Sequence, residues 1–333
     1  MFPPLGLHSA WGAANERELT AAREQRRQRM LTLVRRSILI VPVNVPRFVE
    51  KAHQRGADAI LLDLEDSIPP AEKAHARTLV KDLIPVVGRG GADVMVRINK
   101  PFELAVRDLD AVVWPGLAAI HLPKCESADE AMILDRLIHE RELARDLPPG
   151  GIQLGLALES ARGLLDAPQI ATASDRVYEI HFGSEDVTLE LGVEPTPQGK
   201  ERLYGNLYVV MVAAMAGVQT HGRLANVADF SDLETFESSC REAYNLGFKG
   251  SSCIHPAQVP IINRAFTPPE DLVTWSRRVI ETLDAAQAEG RSSAALDGKM
   301  VDIPTAERAR QLLVRADAIA AKDAQKRKLT GTS

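Results

Sequence analysis

Between residues 38 and 254 the chain alternates short β-rich apolar runs with longer stretches whose apolar residues recur at three-and-four spacing, punctuated by Gly and Pro. The runs are 38–43, 59–64, 94–98, 119–122, 154–158, 178–182, a weak one near 217–224, and 250–254. Helical spacing fills 46–55, 70–83, 127–146, 161–173, 200–215 and 232–246. A parallel strand, a crossover helix and the next strand need about this much chain. Eight such βα units predict an α/β protein of the (β/α)8 TIM barrel class. No Gly-x-Gly-x-x-Gly follows the first run, which argues against a dinucleotide-binding sheet.

The flanks read differently. Residues 1–15 predict a loose arm, and 16–34 a charged helix with few large apolar groups. Its basic stretch is broken by Glu24 and preceded by Glu16 and Glu18, the pattern of a solvated face. Beyond His255, helices are expected over 275–289 and 305–321, with an irregular link at 291–302 and a frayed basic tail. The expected division is arm and helix over 1–35, barrel over 36–265, and over 266–333 a C-terminal helical extension that packs outside the barrel at a subunit interface.

Composition narrows the function. Forty basic against forty-five acidic residues leave a net charge of −5, so no broad footprint for nucleic acid or an anionic membrane is expected. Cys125, Cys240 and Cys253 are odd in number and far apart, which suggests neither a disulfide framework nor a zinc site. With no apolar run near the roughly 18 residues that span a bilayer, and no hydrophobic signal core at the start, a cytoplasmic protein is expected.

In a barrel of this class, chemistry gathers where strands end. The fifth run stops at Glu159, and the sixth passes through Gly183 to Glu185 and Asp186. Two carboxylates at one rim suit a hard divalent cation such as Mg²⁺, which takes one or two acids plus waters and substrate oxygens. Helix capping or a surface lysine would explain the same acids. Asp63 and Glu65 share one face of an extended strand, as candidates for substrate contact, with capping or pairing to Lys73 as the alternative. Arg97 ends the third run, where a guanidinium needs an anion: a substrate carboxylate, or Glu65 or Glu159. Lys124 can form a Schiff base only if neutral, and the nearby acids favour a charged lysine paired with Glu159 or Glu126. His255 can shuttle protons, bind metal, or fix the last turn.

LDLEDSIPPAEK, VRIN, HLPKCES, ALESARG, FGSEDVTLELG, GFKGSSCIHPAQV and DGKMVDIP, in this order, resemble the citrate lyase beta-chain-like family of the HpcH/HpaI aldolase group, from about Arg36 to Leu313. The resemblance implies a TIM barrel that binds Mg²⁺ and makes or breaks a carbon–carbon bond between an acyl-CoA enolate and a 2-keto acid. Citryl-, malyl- and citramalyl-CoA are the typical substrates, and homotrimers or homohexamers the usual assembly. It implies Glu159 and Asp186 as metal ligands and Arg97 as the grip on substrate oxygen. It also implies Asp302 as an acid supplied to a neighbouring subunit for proton movement at the acyl-CoA methyl carbon. Three departures stand out: Val43 where relatives carry Gly, Ser251 where they carry Lys at the rim, and the segment 219–221. Val43 and Ser251 motivate a second reading, a 2-keto acid aldolase working without CoA. A non-catalytic metabolite-binding barrel is the third.

Overall fold

The computed structural model describes residues 24–196, 199–224 and 232–331. The expected arm, and the first part of the charged helix, lie outside them. Residues 24–32 are helical, and we label them α1. The chain then runs β1 (Ser37–Pro42), α2 (Pro46–Ala52), β2 (Ala59–Asp63), α3 (Lys73–Val87), β3 (Asp93–Arg97), α4 (Phe102–Val112) and β4 (Leu117–Leu122). It continues through α5 (Ala128–Ala144), β5 (Gln153–Leu158), α6 (Ala161–Leu165), α7 (Ala167–Ala171), β6 (Val177–Phe182), α8 (Ser184–Leu191), α9 (Lys200–Ala216), α10 (Leu233–Leu246) and β7 (Ser251–Cys253). Last come α11 (Gln258–Ala265), α12 (Glu270–Ala288), the hairpin β8 (Ala294–Leu296) and β9 (Lys299–Val301), and α13 (Ile303–Thr330).

Among the described residues seven strands form one curled parallel sheet in the order β6-β5-β4-β3-β2-β1-β7. The weak seventh run is not a strand in it. Gln219 and His221 instead make isolated parallel bridges, Gln219 to Glu179 on β6 and His221 to Gly250 beside β7. Four residues lie between Gly217, in a left-handed conformation, and Gly222, and they bridge singly to each neighbour rather than as a ladder. Gln219 N donates to Tyr178 O at 2.7 Å and Lys249 N to Thr220 O at 2.9 Å, so one short segment touches both sheet edges.

Period-two alternation sorts the side chains. Ile60, Leu62, Val94, Val96, Leu154 and Leu156 pack outward with helix residues such as Val80, Leu109 and Ile138 in the main core. Ile38, Leu61, Met95, Ala119 and Tyr178 meet inside the curl. The next inward positions along β2, β3 and β4 are therefore Asp63, Arg97 and His121, and these lie toward the strand ends. Asp63 and Arg97 are direct partners in the β2–β3 register.

The C-terminal tail is ordered helix rather than frayed. Lys326 Nζ reaches Asp58 at 2.5 Å, Lys322 Nζ reaches Asp93 at 2.6 Å, and Asp323 accepts from Arg36 at 2.5 Å. Asp58, Asp93 and Arg36 sit where strands begin, so α13 covers the end of the sheet opposite the expected chemistry. The link at 291–302 is a hairpin turning on Asp297-Gly298, both at positive φ, as a two-residue turn requires.

Candidate functional site

Five strand exits converge on an acidic mouth. Asp63 is fully buried with both oxygens engaged: Arg97 Nε and Nη2 donate to it at 2.7 Å each, and the amides of Glu65 and Ser67 at 3.0 and 3.1 Å. What Asp63 contributes is the orientation of Arg97 and of the loop after β2. The remaining guanidinium nitrogen, Arg97 Nη1, meets Glu65 Oε2 at 2.9 Å. Arg97 is thus held by Asp63 and Glu65, the internal pairing that the sequence left open. Among the described residues Lys73 pairs with no carboxylate; its ammonium donates to Leu64 O, Glu65 O and Asn99 Oδ1 and fastens the same loop.

Burial pushes Glu65 up to about 7; Asp66 adds to this while Arg97 and Lys124 oppose it. Lys124 stands in a left-handed conformation, φ 52°, at the β4 exit. Its ammonium lies 3.4 Å from Glu65, 3.6 Å from Asp186 and 3.9 Å from Asp66, in place of the expected Glu159 or Glu126. Burial opposes its charge, but Glu65, Asp186 and Asp66 outweigh burial and hold it above the usual lysine range, which disfavours a neutral amine.

Glu159 follows β5 directly. Ser160 beside it caps α6 by accepting from Gly163 N at 3.1 Å, which turns the chain away. Among the described residues no hydrogen bond or ion pair engages the Glu159 carboxylate, and burial, reinforced by the Asp186 charge, raises its pKa. Asp186 is not at a strand end but in the first turn of α8. Gly183 makes the approach possible, because a Cβ there would lie 2.3 Å from Glu159 Cγ. Two acids that feel one another, one of them unengaged, suit a hard cation whose other ligands are waters or substrate. Among the described residues no group of three or more His, Cys, Asp and Glu is arranged to hold a metal.

His255 shapes its turn: its Nδ1 accepts from Ala257 N at 3.2 Å. It also lines, with Pro42, Phe48, Asp63, Asp66 and Arg97, a cavity of about 650 Å³ at the mouth. Asp302 is the N-cap of α13, accepting from Thr305 N at 3.0 Å, and among the described residues makes no bond to the mouth. Val43 is packed into the core just past β1. Ser251 is not at the rim, for it opens β7 beside Ser37 at the far end, fully buried.

The sequence reading missed the floor of the mouth. Arg97 and Glu159 share a cavity of about 60 Å³ with His121, Glu179, His181 and His221. Glu179 Oε1 lies 2.8 Å from His221 Nδ1 and 3.5 Å from His181 Nδ1. Burial works against the Glu179 charge, yet His221 and His181 hold it well below the carboxylate range. Burial likewise opposes charge on His181, but Glu179 prevails and raises it, whereas His121 is driven by burial down to about 3. Room for the His121 ring comes from Gly155, where a Cβ would sit 2.7 Å from it. The signal was available: Glu179 and His181 stand two apart in an otherwise apolar run, hence on one face.

Fold and mouth together define a parallel α/β protein with an acid-rich site at the C-terminal ends of its strands, arranged around one braced arginine. Residues 36–256 match the family model described as HpcH/HpaI aldolase/citrate lyase, and the chain belongs to that family. It is 34% identical over 288 residues to citrate lyase subunit beta of Leuconostoc mesenteroides subsp. cremoris, covering 86% of this chain and 94% of that one. Over 306 residues it is 32% identical to L-malyl-CoA/beta-methylmalyl-CoA lyase of Cereibacter sphaeroides, covering 85% and 95%. Among solved structures, protein CitE from Mycobacterium tuberculosis in complex with magnesium, acetoacetate and coenzyme A superposes with a TM-score of 0.66. That match has 28% identity and covers 86% of this chain and 99% of the other.

Proposed function

We propose that this protein is a Mg²⁺-dependent carbon–carbon lyase that splits a β-hydroxyacyl-CoA, such as a malyl-, citramalyl- or citryl-CoA, into an acyl-CoA and a 2-keto acid. The observation that carries the reading is the unengaged Glu159 carboxylate beside Asp186, with Arg97 lining the same small cavity. Glu159 and Asp186 would hold the ion. When bound, Mg²⁺ supplies Lewis-acid polarisation of the oxygens of the α-hydroxy-carboxylate half, an effect of several kcal/mol.

The chain's own residues do the rest. Cleavage takes the proton from the β-hydroxyl, breaks the adjacent carbon–carbon bond, and leaves the electron pair as a thioester enolate, which is then protonated at carbon. Glu65, at about 7, is poised to accept that proton at neutral pH. Arg97, braced by Asp63, offers Nη1 to the developing negative oxygen once Glu65 releases it. Losing one good donor of this kind costs about 10²- to 10³-fold in rate. Lys124 keeps the crowded carboxylates compatible, and the 650 Å³ cavity beside His255 gives the thioester arm a place to lie. Asp302, engaged as the cap of α13, would serve the carbon protonation in a neighbouring copy of a homotrimer or homohexamer, with the extension 266–333 at the interface. In this reading Gln219 to His221 act as the eighth stave of a closed barrel. Three buried free cysteines support a reducing, cytoplasmic setting. No helix among the described residues is long and apolar enough to cross a membrane.

Incubation with malyl-CoA or citramalyl-CoA and Mg²⁺ should release glyoxylate or pyruvate together with acetyl-CoA, detected as the phenylhydrazone and by mass. Glu159→Gln should abolish the release. Free CoA thiol without acetyl-CoA would make the protein a hydrolase. Deuterium exchange into pyruvate without CoA would make it a CoA-independent aldolase, and metal binding without turnover a binding protein.

A further inference from the structure

At the end of the sheet opposite the mouth, a second cavity of about 320 Å³ opens between α1, α10, the chain after α11, and α13. Its walls include Tyr244, Phe248, Phe266 and Leu312, and its charged groups are Lys249 and Arg315. Among the described residues no Asp or Glu lines it. Among the described residues nothing pairs with the Lys249 ammonium. The Arg315 guanidinium, only 8% exposed, donates to the carbonyls of Leu31, Leu33 and Lys249 and to no carboxylate. The acid whose charge reaches Arg315 is Asp58, which is already held by Arg36 and Lys326.

Arg315 is buried and Lys249 half-buried beside it, and two such neighbouring cations without an anion are costly, a cost that a ligand bringing the charge relieves. Burial, then Arg315, pushes Lys249 down to about 8, the mark of a cation lacking its partner. The apolar walls specify the remainder of that ligand: a bare inorganic ion would leave Phe248, Phe266 and Leu312 facing empty space.

We propose that this cavity binds a small organic carboxylate with an apolar body, the charge lying between Lys249 and Arg315 and the body against Phe248 and Phe266. Nothing in it depends on the chemistry assigned to the mouth. The terminal elements α1 and α13 both wall the cavity, so an occupant ties them to the sheet and stabilises the fold by mass action.

The test is titration of the full-length protein with phenylacetate by calorimetry. The expected result is one saturable site per chain, lost by about thirtyfold or more in Lys249→Met, as for truncation of a buried charge pair. Lys249→Arg should keep it. 2-Phenylethanol, which has the body without the charge, should bind far more weakly, and so should inorganic phosphate. Arg97→Met should bind phenylacetate as the wild type does. If Lys249→Met fails to fold, Lys249→Gln is read in its place. Full-strength binding by the neutral variant, loss of binding in Arg97→Met, phosphate binding as tightly as phenylacetate, or no saturation by the wild type would each overturn the proposal.

Discussion

Replacing Glu65 by glutamine isolates the electrostatics of the mouth, because glutamine has the shape of the protonated acid and cannot ionise. Burial raises Glu65 from its ordinary 4.5 to about 7, against the pull of Arg97. Each tenfold change is worth about 1.4 kcal/mol, so ionising Glu65 in the folded protein costs at most about 3.5 kcal/mol. Solvent at the rim reduces that to roughly 1–2 kcal/mol. The sign follows from linkage. A raised folded-state value gives stability that is fully present below 4.5 and is lost as pH rises through about 7. In metal-free buffer, urea unfolding of Glu65→Gln should therefore match the wild type near pH 4.5 and exceed it by roughly 1–2 kcal/mol near pH 8. A difference independent of pH would refute the reasoning. So would a variant less stable than wild type at pH 8, since Arg97 and Lys124 would then stabilise the carboxylate more than burial penalises it.

Gly183→Ala should keep the fold but push Glu159 aside, lowering Mg²⁺ affinity in calorimetry; unchanged affinity would mean the close approach is incidental. Asp58→Asn removes the acid shared by Arg36 and Lys326 and should cost about 3–5 kcal/mol in urea unfolding. Arg36 and Lys326 hold Asp58 below the usual carboxylate range against the opposing effect of burial, so wild type should also lose stability as pH drops below about 4. Mixing Asp302→Asn with Glu159→Gln, each inactive alone, should restore part of the activity if Asp302 serves a neighbouring mouth; a mixture as inactive as its parts would place Asp302 outside the chemistry.

Periodicity alone located the seven strands and most of the helices, because a half-buried strand and an amphipathic helix leave different periods in any sequence that must bury one face. It also picked Glu159, Arg97 and Glu65, since a charge ending an apolar run is out of place unless it has work at a strand exit. The hairpin was legible too, in Asp297-Gly298, but lay hidden among residues of low apolar content. Other facts existed only in three dimensions. Lys124 pairs with Glu65 and Asp186, not with acids nearer in sequence, because the curl of the sheet sets its neighbours. Ser251 falls at the far end of the sheet since a strand's register, and not its composition, decides which end a residue occupies. The ordered tail, the histidine floor under Glu159 and the acid-free pair of Lys249 and Arg315 all join segments far apart along the chain. Local patterns carry the period of each element, but the distance between two elements is fixed only when their surfaces pack.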